Sequence, residues 1–137
     1  MRVIFALLFF LPTPAWAVSA VAAGGDRSGF HAAINTTGHA TSEAAIAEVR
    51  RLCKARGFAR CSQGQAFTQC MTYALSADRQ RGFVSTHANQ LTTQKNALSS
   101  CEKATGQTCT FLVTGCDKQY LAETAKTPPP QPKPAPL

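Results

Sequence analysis

The chain has 137 residues, with 14 Lys and Arg against 7 Asp and Glu, for a formal net charge of +7. That length accommodates one ordinary domain besides any leader, and the excess of cations favours anionic partners such as lipid headgroups, acidic polymers or an acidic protein face. Nucleic acid is set aside as a partner, because the basic residues are not interleaved with stacking aromatics and the N-terminus is that of an exported chain.

Met1 and Arg2 supply a positive start, Val3 to Leu11 is an unbroken apolar run, and Ala15-Trp16-Ala17 places small residues at the positions that a signal peptidase inspects. This pattern predicts a signal peptide over residues 1–17. Pro12 and Pro14 end the run well short of the roughly 20 apolar residues that a membrane span requires, so no membrane span is expected. The mature protein is read as periplasmic or secreted, and as a monomer. Residues 18–28 are expected as a flexible N-terminal segment. The folded domain is placed at 29–121, divided into 29–76 and 82–121, and a Pro-rich disordered tail at 122–137. Its end, Thr127 to Leu137, carries prolines that lack a backbone donor, and it reads as an extended spacer.

In chain order, Phe30, Ala32 and Ile34 alternate with His31, Ala33 and Asn35, which predicts a short strand. A polar stretch, Asn35 to Thr41, follows as a turn. Ser42 or Thr41 can cap a helix in which Ala45, Ile46, Val49, Leu52 and Cys53 recur at helical spacing, with Glu43 near the positive end and Lys54 near the negative one. Gly57 stops it, and strand character returns, with Met71 to Leu75 as a further strand. A less clean alternation from Phe83 to His87 and a second turn precede a second helix. Thr92 or Thr93 opens that helix, Ala97, Leu98 and Cys101 form its apolar face, and Gly106 ends it. Cys109 to Thr114 is again a strand.

The cysteines follow the same doubling. Cys53 to Cys61 and Cys101 to Cys109 each span 8 positions, and the two pairs are offset by 48 positions (53 to 101, 61 to 109). Gly29-Phe30 recurs as Gly82-Phe83 and Gly57 as Gly106. These correspondences predict two copies of one unit. The fold class is therefore α+β: two tandem strand-helix-strand(-strand) repeats forming an antiparallel sheet, with two helices packed on one face and disulfide staples.

The helix Ala45 to Cys53, Gly57, Cys61, Phe67 and Cys70, followed by Ala97-Leu98, Cys101, Gly106, Cys109 and Cys116, resembles family 4189 of the domains of unknown function, small exported bacterial proteins. The resemblance covers about residues 29 to 121. It implies the fold and export, and it carries no established activity.

Six cysteines, Cys53, Cys61, Cys70, Cys101, Cys109 and Cys116, in a small exported chain read as a disulfide framework rather than a zinc site, whose Cys pairs sit closer together. Six cysteines allow 15 pairings. A Cys in the last helical turn lies within bridging reach of one opening the next strand, which favours Cys53 with Cys61 and Cys101 with Cys109. Cys70 with Cys116 would then tie the copies together.

No catalytic residue, metal ligand set or cofactor motif is read. His31, His39 and His87 show no metal spacing, the acids are scattered, and no nucleophile elbow, phosphate loop or dinucleotide fingerprint is present. The concentrated feature is Arg50, Arg51, Lys54, Arg56 and Arg60, five cations within eleven residues, offset by only Glu43 and Glu48. They predict an anion-binding patch on the first helix; the alternative is a solvated face whose cations suit the helix's negative end. The favoured function is a non-catalytic binding or inhibitor module of the bacterial envelope, whose partner is an envelope or extracellular macromolecule. A small exported enzyme with a site assembled from residues distant in sequence, or a purely structural envelope protein, stand as alternatives.

Overall fold

The computed structural model describes residues 17–117, so the expected signal peptide as far as Trp16 and the expected Pro-rich tail lie outside the described residues. Nine elements follow in order: β1 (Val18–Asp26), β2 (Gly29–His39), α1 (Ser42–Ala55), β3 (Arg60–Cys61), β4 (Gln65–Phe67), β5 (Cys70–Ser76), β6 (Gly82–His87), α2 (Gln90–Thr105) and β7 (Cys109–Cys116). The class is α+β. The strands form two antiparallel sheets instead of the single sheet expected from sequence, and each sheet carries its own helix. In the first sheet β1 is central, with β2 on one side and the short β3 and β4 on the other. In the second, β5 is central between β6 and β7.

The segment 18–28, expected to be flexible, is instead largely β1. Its residues are small and apolar on both faces: Val18, Ala20 and Ala22 pack under α1 with Ile34, Ala45 and Val49, while Val21 and Ala23 face the second sheet. A strand buried on both sides shows no polar alternation, so its sequence carries no period-2 signal. Likewise Met71 to Leu75, assigned to the first copy, is the heart of β5 and organises the second sheet. The stretch Asn35–Thr41, expected as a turn, continues β2 as far as His39.

The order of layers is helix, sheet, sheet, helix. Between the sheets lie Val21, Ala23, Phe30, Met71, Tyr73 and Leu75, joined by the half-buried Phe67, Val84, Leu112 and Val113. Ala74 of β5 packs under α2 against the helix's own Ala97 and Cys101. Leu52 and Leu98, on the expected apolar faces of their helices, are half-buried, whereas Phe111 on β7 is 42% exposed.

Local rules fix the helix ends. The Thr41 side chain accepts from Ala44 N at 3.1 Å and opens α1. Asn89, ahead of the expected Thr92 or Thr93, accepts from Thr92 N at 3.1 Å and opens α2; both satisfy a donor that the first turn cannot. Gly106, at φ 64°, supplies the left-handed residue that ends α2.

Three disulfides complete the frame: Cys53–Cys61, Cys101–Cys109 and Cys70–Cys116. The first two join each helix to the strand that follows. The third does not join the two halves: Cys70 and Cys116 are cross-strand neighbours on β5 and β7 of one sheet. Polar ties between the sheets come from elsewhere. Tyr73 on β5 hydrogen-bonds Ser62, whose Oγ accepts from Ala23 N of β1 at 2.8 Å. The buried Ser19 hydroxyl donates to Asp117, at the end of β7.

Candidate functional site

α1 buries Ala45, Val49 and Cys53, and helical periodicity therefore turns Ala47, Arg50, Arg51 and Lys54 outward. These four line a shallow, open depression of about 320 Å³. Arg51 is engaged: its Nε and Nη2 donate to Glu48 at 2.9 and 2.6 Å, a fork on one carboxylate. That hydrogen-bonded pairing holds the Glu48 carboxyl below its usual value and raises the Arg51 guanidinium. Arg50 and Lys54 are exposed and have no carboxylate within ion-pair distance among the described residues. Arg56 is exposed at the C-cap. The structure thus brings together four of the five predicted cations on and just after one helix.

Arg60 departs from them. It lies on β3, where its guanidinium sits 4.5 Å over the Phe30 ring and Nη1 donates to Gln80 Oε1 at 2.6 Å. The chain turns at Gly57, φ 83°, so the four-residue spacing that links Arg56 to Arg60 in sequence crosses from helix to strand.

The histidines are separately placed. His31 stands 3.8 Å from Asp26 and edge-on to Phe58, His39 shares a hydrogen bond with Thr36 Oγ1, and His87 Nδ1 accepts from Asn89 N. Among the described residues no three His, Cys, Asp or Glu side chains are gathered to hold a metal ion. A second concavity, about 290 Å³, is lined by Ser42, Ala66, Phe67, Thr68, Gln69 and Thr86 and contains no ionisable group.

The family model of DUF4189, a domain of unknown function, matches residues 16–116. The chain belongs to that family. The matched span takes in every element from β1 to β7, so the DUF4189 domain begins before β1, upstream of the domain start at residue 29 expected from sequence. No curated protein and no solved structure matches the chain. Among the described residues no helix is long and apolar enough to cross a membrane. The three disulfides fit an extracellular or periplasmic member of DUF4189.

Proposed function

We propose that this protein is an exported, non-catalytic binding module of the bacterial envelope that recognises an anionic macromolecule through the outer face of α1. The observation that supports the reading is that Arg50, Arg51 and Lys54 line one depression on a stapled scaffold, with Glu48 paired to Arg51. Such a face gains association rate and specificity from long-range attraction more than from buried contact. The mature protein works as a monomer in the periplasm or outside the cell.

The test is a pull-down from envelope extract with the oxidised protein at low and high salt. Recovery of a partner should fall as ionic strength shortens screening to about 8 to 10 Å. The triple variant Arg50→Gln, Arg51→Gln, Lys54→Gln should lose the partner while its melting curve stays within about 0.5 kcal/mol of the parent. Equal recovery by parent and triple variant would reduce the α1 face to a solvated surface.

A further inference from the structure

Arginines also gather at the end of the molecule where the β1–β2 and β5–β6 turns meet. The two turns share a pattern, Asp26-Arg27-Ser28-Gly29-Phe30 and Asp78-Arg79-Gln80-Arg81-Gly82-Phe83, and they are bonded to each other. Phe30 N donates to Arg79 O at 2.9 Å, and Arg79 Nε donates back to Phe30 O at 2.9 Å. Gln80 bridges further, taking Arg60 Nη1 and giving its Nε2 to Arg27 O at 3.3 Å. Gly29, at φ 131°, is required beneath this contact, since a Cβ there would lie 2.6 Å from that of Arg79.

Two features set this cluster apart from a random basic surface. First, each turn's Phe carries a guanidinium on its ring: Arg60 at 4.5 Å over Phe30, and Arg81 at 5.3 Å over Phe83. Stacking and backbone bonds hold these forks in place in advance, which lowers the cost of ordering them on a ligand. Second, Arg79 adopts φ 61°, a left-handed conformation that costs a side-chain-bearing residue and that Asn or Gly would occupy more easily.

The adjacent acids offset the cluster in part, Asp26 acting on Arg60 and Asp78 on Arg81, but their hydrogen bonds go elsewhere. Asp26 accepts from the Ser28 hydroxyl and backbone, and Asp78 from Ser76, Gln80 and Gln107. These bonds hold both carboxyls below their usual values. None of the four arginines forms an ion pair among the described residues. Arg27 has no side-chain bond there, Arg79 commits only Nε, and Arg81 commits only Nη1, to Ala104 O.

We propose that the joined hairpin turns form a second recognition surface, in which Arg27, Arg60, Arg79 and Arg81 grip the carboxylates of an acidic protein segment. Planar guanidinium forks match carboxylates two donors at a time. The fixed negative charges of Asp26 and Asp78 at the same end disfavour a dense phosphate surface and suit a partner whose acids are discrete and can be set between them. A second copy of this chain, with its net charge of +7, is a poor occupant. The surface is separate from α1 and does not depend on the α1 reading.

Fluorescence anisotropy with a fluorescein-labelled poly-L-glutamate peptide and the oxidised full-length protein tests it. The double variant Arg27→Gln, Arg79→Asn should bind the peptide about tenfold or more weakly, the loss expected for removing charged hydrogen-bond donors. Its melting temperature should stay near the parent's, because the relief that Asn brings at φ 61° offsets the bond lost from Arg79 Nε to Phe30 O. Arg27→Gln alone, at an exposed side chain, gives a smaller loss with no bearing on folding. The α1 triple variant should lose less peptide binding than the double variant does. Equal losses in the hairpin and α1 variants, parent-like binding by the double variant, or no binding by the parent would each overturn the proposal. Binding to phosphatidylglycerol vesicles in place of the peptide would overturn the choice of partner.

Discussion

The two halves solve one packing problem with different chemistry. In the first, α1 rests on an apolar face, where Ile34, Ala45 and Val49 are fully buried over Ala20 and Ala22. In the second, α2 covers a hydroxyl ladder: Thr72 Oγ1 bonds both Thr93 Oγ1 and Thr114 Oγ1 at 2.8 Å, Thr93 donates to Gln90 O, and Gln90 and Gln94 donate to Thr114. A buried polar group is tolerable only when it is bonded, and among the described residues no buried side-chain nitrogen or oxygen lacks a partner. The second half also holds four of the six cysteines, and β7 runs unbroken where the first half has β3 and β4 separated at Gly64. Similar strand order, then, does not demand similar side chains. The first helix is held mainly by area removed from water, the second also by directional bonds, and the extra covalent tie lies in the second sheet, between β5 and β7.

Removing the covalent ties should show the largest effect. Alkylation of the unreduced protein should add no label, and loss of any one bridge should cost about 2 to 5 kcal/mol. If apolar packing makes the first half less dependent on its staple, denaturant melts of the Cys53→Ala/Cys61→Ala variant will show a smaller cost than those of Cys101→Ala/Cys109→Ala. The reverse order would break the comparison.

Point substitutions in the two cores come next. Ile34→Ala should cost about 2 to 5 kcal/mol by leaving a cavity. Thr93→Val keeps the volume and removes one member of the ladder, so about 1 to 2 kcal/mol is expected, since Thr72 retains Thr114. A neutral or stabilising Thr93→Val would mean that the ladder contributes no net stability.

The smallest effect concerns the seam. Burial raises the Tyr73 phenol above its ordinary value, partly offset by the bond to Ser62. Below the ordinary value both the folded and unfolded phenols are neutral and stability is constant. As pH rises through about 10 the unfolded chain ionises first, and stability falls until the folded phenol also titrates. Urea midpoints should therefore decline on the alkaline side in the parent and decline less in Tyr73→Phe.

What the sequence determined by itself is local: the helices and their approximate ends, the glycine stops at 57 and 106, and the bridges that span only 8 residues, because each is set by neighbours within a turn or two of chain. Tertiary structure decided the rest. β1 became a central strand through partners on both edges and both faces, which its Ala- and Gly-rich segment could not announce. Cys70 passed to the second half because β5 did. Arg60 left its helical neighbours for the Phe30 ring once the chain had turned at Gly57. Arg27, Arg79 and Arg81, scattered over more than fifty positions, meet only where two hairpins of different sheets touch. Contacts of that kind are fixed by how the sheets stack, and no window along the chain contains them.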